Sequence, residues 1–329
     1  MTALRVQPDD SEYLRQLQAE ADFFDKPHFL SADQEMPPTG YWNERFTGDP
    51  RISWFESIPQ YGTFRRGWSF GAALYLQRGL MEQNPQLHLT VYDISEESLA
   101  AIERDAAARF PGRVALERTD LNFAELPAGT FDMIVSDSCL HHLINLEYVA
   151  QQINHALTPE GYFFLRDYTG ETRFHFTDAK RRAFEAALRH AGSRQQALQN
   201  WTVDWPDLDH AGPDEFSPFE AVRSEDTLGI LRAALREEFV RPAGALLGLV
   251  LFAHPPQVYA GVPDEDASFY RRARFAVGRM RNRFFSQRQP GYRDLATPLA
   301  LEIAPIDRVI SEAGLLLPML SFSMYRKKP

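Results

Sequence analysis

Cysteine is nearly absent from this chain: Cys139 is the only one in 329 residues. An intrachain disulfide is excluded, and so is a cysteine-based zinc cluster. Long hydrophobic runs are missing too. The longest, AGALLGLVLFA from Ala243 to Ala253, falls well short of the roughly 20 residues that span a bilayer. It reads as a buried helix or strand, and no membrane contact is expected. The N-terminus, MTALRVQPDDSEYLRQ, is polar and carries no apolar signal core, so a cytoplasmic location is the expectation. Positive charge is also short. The net charge of −10 argues against general nucleic-acid binding. One local exception runs from Arg271 to Arg293, where arginines interleave with aromatics. It reads either as a solvated helix whose Arg stems cover apolar surface, or as a site for an anionic, phosphate-bearing partner.

What is present is a chain that is 44% apolar, enough for a sizeable core. Residues 1–60 read as a helical lead-in or lid, with Ser11 as a cap candidate for its first helix. Residues 61–170 read as an α/β core with strands at 64–70, 87–92, 113–117, 131–136 and 161–167, separated by polar tips and helical patterns. Alternation of this kind specifies an open, mostly parallel sheet. Asn145 is an N-cap candidate for a helix over 145–157, which Pro159-Glu-Gly161 is expected to end. Residues 171–225 form a lid-like insertion rich in Phe and Trp. The remaining 226–329 complete the core as helix, strand, helix and final strand, interrupted by a helical insertion at about 243–295. The fold class expected is a Rossmann-like sheet of about seven strands with an antiparallel last strand, and with insertions after strands 5 and 6.

Ligands of such sheets bind at the C-terminal ends of the strands, and chemistry-bearing residues gather there. Asp93 ends the strand LHLTVYD, where a carboxylate can accept both hydroxyls of a ribose. Asp120, in RTDLN, can accept from an exocyclic amine such as adenine N6, with Leu121 against the ring. SDSCLHHL, from Ser136 to Leu143, holds Asp137, His141 and His142. Imidazole titrates near neutral pH and can act as a general base, so either His is a base candidate with Asp137 orienting it. The alternative is a His packed under the next helix. No metal is expected, because the pair has no ligand-type partner one helical turn away. Tyr168, in RDYTG, faces the same crevice as a stacking or hydrogen-bonding group.

Taken together, VYDIS, RTDLN, FDMIVSDSCLHHLINLEYV and LTPEGYFFLRDY resemble the class I S-adenosylmethionine-dependent methyltransferase core. The resemblance is clear over 65–170 and fainter beyond, where SPFEAVRSEDTLGILRAAL is similar to a bacterial subgroup that modifies sugars, glycans or small molecules. It implies S-adenosylmethionine as cofactor, bound by Ser69, Gly71, Asp93, Ile94, Asp120, Leu121 and Ser136. It also implies a small or glycan-like polar acceptor, walled by Tyr41, Trp42, Tyr168 and Phe174; a second copy of the chain is allowed as a partner. The chain departs from the family in its first loop, WSFGAALYLQRGL. With Gly71 as the first glycine, Ser69 stands in the acidic place, and Ala73 and Tyr75 replace the later glycines. With Gly67 first, Arg65 takes the acidic place. The expectation is methyl transfer through this altered loop; the alternative is an inactive, methyltransferase-like binding partner or scaffold.

Overall fold

A computed structural model describes residues 4–26, 39–212, 215–254 and 292–329. Most of the arginine-aromatic stretch from Arg271 to Arg293 and most of the expected insertion at 243–295 fall outside them.

The core is a seven-stranded sheet in the order β3-β2-β1-β4-β5-β9-β7. Its strands are β1 (Arg66–Phe70), β2 (His88–Asp93), β3 (Val114–Arg118), β4 (Phe131–Asp137), β5 (Leu157–Tyr168), β7 (Arg236–Ala243) and β9 (Leu320–Arg326). All neighbours are parallel except β9, which runs antiparallel to both β5 and β7. The strand order reverses between β1 and β4, and a crevice opens at such a switch point. A two-residue pair, β6 (Thr202–Val203) with β8 (Ala253–His254), lies apart from the sheet.

Helices cover both faces, which is why the central strands are apolar throughout rather than alternating. One face buries Leu76 and Leu80 of α3 (Leu74–Gln83) and Leu99 and Ile102 of α4 (Glu96–Arg109). The other receives α5 (Leu146–Ala156), whose Leu146, Val149, Ala150 and Ile153 form one stripe at helical spacing. Each such side chain contributes about 1.5–3 kcal/mol on full burial, so helix faces and strands fix one another.

Several ends differ from their sequence signals. Asp10, not Ser11, caps α1 (Ser11–Phe24), accepting from the N–H groups of Glu12 and Tyr13. Asn145 makes no side-chain cap on α5; its Oδ1 accepts from the N–H groups of Arg5 and Val6. Pro159-Glu-Gly161 lies inside β5, at a bulge beside β4, since strand pairing on both sides of β5 outweighs a local turn signal. The remaining helices are α2 (Thr39–Thr47), α6 (Asp178–Arg194), α7 (Thr227–Ala234) and α8 (Tyr292–Glu312). Among the described residues no helix is long and apolar enough to cross a membrane.

Candidate functional site

At the tip of β1 the chain turns on Gly71, whose φ is +76°. A Cβ there would lie 3.3 Å from Cys139 Cβ and Sγ, so both dihedral and space call for glycine. Gly67 lies inside β1 against Leu87, Leu89 and Met133, away from the loop. The two lost glycines cost nothing in the backbone: Ala73 has φ −126°, and Tyr75 belongs to the first turn of α3. Gln77 braces the loop. Its Oε1 accepts from the Ala73 N–H at 2.8 Å, and its Nε2 donates to Ser69 Oγ and the Gly71 carbonyl, both at 3.0 Å. Ser69 is fully buried and belongs to this brace, which corrects its expected place as a cofactor ligand.

Asp93, at the tip of β2, accepts from the Ala72 N–H at 2.6 Å and the Ser95 N–H at 2.7 Å, one on each oxygen. Burial raises its carboxyl to about 6, against those backbone bonds. The residue is partly exposed and each oxygen keeps a further lone pair, so a diol can still be accepted. Ile94, also partly exposed, offers its carbonyl to Arg118 Nε at 3.0 Å. Asp120 already has a phenol partner: Tyr13 of α1 donates to it at 2.6 Å, while the Asn122 N–H bonds its other oxygen at 2.9 Å. Leu121 is buried with Leu126 and Phe131, so it packs the core and is not a platform for a ring. Ser136 is fully buried in β4, and its Oγ has no hydrogen-bond partner among the described residues.

Asp137 touches neither imidazole in this structure. It accepts from Arg166 Nε and from the Tyr75 hydroxyl, and Arg166 Nη2 donates to that hydroxyl at 2.8 Å. Burial raises its carboxyl, against the nearby Arg166 charge. The residue expected to orient a histidine is therefore corrected: the orienting carboxylate is Asp167. It is fully buried at the tip of β5 and bonds His141 Nδ1. It also accepts from the Leu140 N–H at 2.7 Å. The other ring nitrogen of His141, Nε2, points to Glu220 Oε1 at 3.4 Å. Burial works against protonation, yet Asp167 and Glu220 together push His141 up to about 10. His142 lies beside it with ring centroids 4.1 Å apart and the planes tilted by 42°. Its Nδ1 lies 2.9 Å from Glu20 Oε1 and 3.1 Å from Ser217 Oγ, and its Nε2 lies 4.0 Å from Glu220 Oε2. Glu220 is partly exposed; desolvation raises its carboxyl, but the two imidazoles and Arg173 win and hold it at about 2.

Three of these groups come from outside the core. Glu20 is on α1; Ser217 and Glu220 are on the insertion. The Val222 N–H donates to the His141 carbonyl at 3.0 Å, and the Arg173 N–H to the Ala221 carbonyl at 2.8 Å. Arg223 bonds both oxygens of Glu147 on α5, at 2.7 and 2.8 Å. Ser138, Arg173, Phe174 and Ala221 all have φ between +51° and +56° without being glycine. Such conformations cost on the order of 1–3 kcal/mol each and persist where surrounding contacts fix them, often at functional sites. Sequence reading missed Glu20, Asp167, Ser217 and Glu220 as partners of the His pair. Only Asp167, among the strand-tip acids, carried a visible signal.

The expected acceptor wall divides in two. Tyr168 is buried 6.0 Å from the His141 ring, donates to the Glu171 carbonyl at 3.0 Å, and meets Phe174 edge-on. Tyr41 and Trp42 are elsewhere. The Tyr41 hydroxyl donates to Asp307, a fully buried acid that also accepts from the N–H groups of Gly244, Leu246 and Leu247. Trp42 packs on Phe46 and against Gly244. Tyr41 ties α2 to α8, Trp42 ties it to the turn after β7, and both are corrected to residues in or against the core.

A family model described as a methyltransferase domain matches residues 71–163. No curated protein matches the chain. Among solved structures, the chain is similar to Haemonchus contortus phosphoethanolamine N-methyltransferase 2 in complex with phosphomonomethylethanolamine and S-adenosylhomocysteine. That match has 14% identity, covers 94% of this chain and 61% of that one, and has a TM-score of 0.50. It is equally similar in fold to a (4+2)-cyclase, SpnF, at 13% identity, 99% coverage of both chains and a TM-score of 0.50.

Proposed function

Taking the chain as one built on a methyltransferase domain of the class I, S-adenosylmethionine-dependent family, we propose that it transfers a methyl group to a hydroxyl of a small or glycan-like polar acceptor. The cofactor supplies an electrophilic sulfonium methyl, so the protein's work is to bind, orient and exclude water. Asp93 holds the ribose hydroxyls on its free lone pairs, and Gly71 lets the backbone come close. Asp120 meets the adenine edge when Tyr13 gives it up.

A hydroxyl must shed a proton as it takes the methyl group, whereas an amine with a free lone pair need not. The observation that carries the hydroxyl reading is the His141–His142–Glu220 group at the tip of β4, with Asp167 and Glu20 behind it. Helix α1 and the insertion pack over this group and leave His142 and Glu220 partly exposed.

Calorimetry with S-adenosylhomocysteine tests the cofactor assignment. Micromolar binding is expected, and its absence at millimolar ligand would leave only an inactive scaffold. Mass-spectrometric screening of hydroxyl, amine and thiol acceptors tests the rest, with a mass gain confined to amines or thiols counting against the acceptor class.

A further inference from the structure

We propose that His141, His142 and Glu220 form a binding site for one divalent transition-metal ion, with Glu20 behind it on the far ring nitrogen of His142. The inference deepens the reading above, because it names how the His–His–Glu group acts on an acceptor oxygen.

The donor set is the first reason. One ligand atom from each of the three residues lies within 4.8 Å of the others, a spread that small side-chain movements close onto one ion. Two imidazoles and a carboxylate are the donor set of open zinc sites, which keep a position for an oxygen ligand. Local spacing hides it, since Glu220 reaches the pair from a segment far along the chain.

Orientation is the second reason. A ligating imidazole commonly donates its other N–H to a carboxylate, which fixes the ring and raises its basicity. His141 has that arrangement: Asp167 holds Nδ1 and leaves Nε2 facing Glu220. Asp167 is itself immobilised by the backbone N–H of Leu140.

Glu20 supplies a separate observation. The residue is 2% exposed, and its Oε1 makes no well-formed hydrogen bond although it lies 2.9 Å from His142 Nδ1. Its other oxygen accepts from the Phe219 N–H at 3.2 Å. A buried carboxylate oxygen without a proper donor is costly; a cation on His142 Nε2 would fix the ring with Nδ1–H donating to Glu20, as Asp167 holds His141. Two buried carboxylates, Glu20 and Asp167, and a partly exposed one, Glu220, then surround two imidazoles, an excess of negative charge that a divalent ion balances. A metal there would lower the proton affinity of a hydroxyl bound at its open position, so that the proton leaves to water.

The test uses the full chain, stripped with chelator and titrated with Zn²⁺ and Co²⁺. One equivalent should bind, and the Co²⁺ form should show the visible absorption of a four- or five-coordinate site. Glu220→Gln and His142→Ala should each weaken binding at least 100-fold, and Glu20→Gln about tenfold. The exposed pairs His175–Asp209 and His210–Asp207 are the competing surface sites, so His175→Ala/His210→Ala should keep the equivalent. Loss of the equivalent in that double variant, its retention in Glu220→Gln, or no bound metal at micromolar concentration would overturn the proposal. Circular dichroism on each variant separates lost ligands from lost fold. Calorimetry with S-adenosylhomocysteine on the stripped protein keeps the two readings apart: binding there without any metal uptake sinks the metal site and leaves the methyltransferase reading standing.

Discussion

The two ends of the crevice are built differently. At the end proposed for the nucleoside, Asp93 and Asp120 sit at the tips of consecutive strands, and each is fixed by backbone N–H groups within two residues or from the tip of the neighbouring strand. At the histidine end, the core supplies His141, His142 and Asp167, while α1 brings Glu20 and the insertion brings Ser217 and Glu220. A site made of strand tips inherits its geometry from the sheet. A site completed by appended segments depends on how firmly those segments dock, so its chemistry and its local stability are coupled.

The sharpest way to break that contrast is at the histidine end. His142→Ala should lower turnover by about 10²–10⁴-fold, the usual range for losing proton-handling groups, while S-adenosylhomocysteine affinity stays within about threefold. Steady-state kinetics beside calorimetry gives both numbers, and an equal loss of binding would erase the distinction between the ends. At the nucleoside end, Asp93→Ala removes a charged acceptor and should cost about 2–3 kcal/mol of binding, near 100-fold. Calorimetry reads this directly, and unchanged affinity would remove Asp93 from the site.

Docking of the insertion is tested through Arg223. Its guanidinium, 7% exposed, pairs with Glu147, and that bond holds the Glu147 carboxyl at about 2. Arg223→Met should cost about 2 kcal/mol, because an ion pair with one half-open partner is worth less than a fully buried one. The sign with pH follows. A depressed carboxyl contributes stability above its ordinary value of 4.5, and that contribution fades as pH falls toward about 2. Urea unfolding of parent and variant should therefore converge over that window.

Asp93 gives the opposite sign. Its carboxyl lies near 6 in the fold against an ordinary 3.8, so the folded protein takes up that proton first and gains stability as pH drops between the two. The same proton blunts its capacity to accept from a diol. S-adenosylhomocysteine affinity should decline severalfold as pH passes below about 6, and Asp93→Asn should flatten that profile. The smallest effect is expected for Tyr13→Phe. It frees Asp120 of a 2.6 Å phenol bond and should change nucleoside affinity by less than about 1 kcal/mol, in the favourable direction.

The strand run from β1 to β5, the helix after β4 and the closing helix and strand were legible because burial on both faces leaves continuous apolar runs between polar tips. Asp93 and Asp120 were legible for the same reason: a strand tip in an open parallel sheet has one outlook. The loop at Gly71 looked damaged in sequence. The structure shows that only its first glycine needs positive φ, and that Gln77 supplies the bracing. Asp137 was misassigned because adjacent tips cannot be told apart by spacing; side chains alternate between sheet faces, so Asp137 meets Arg166 on one side and His141 meets Asp167 on the other. Tyr41 and Trp42 read as binding aromatics, but aromatic character does not say which surface a side chain faces.

Sequence was thus enough for the sheet, its crevice and the acids along the core strands, since those follow from hydrophobic periodicity and from the rule that parallel strands end at the ligand. Folding in three dimensions was needed for the company the histidines keep. Glu20 and Glu220 lie 200 residues apart in the chain, and contact between such groups is set by the docking of α1 and the insertion, which leaves no periodicity to read.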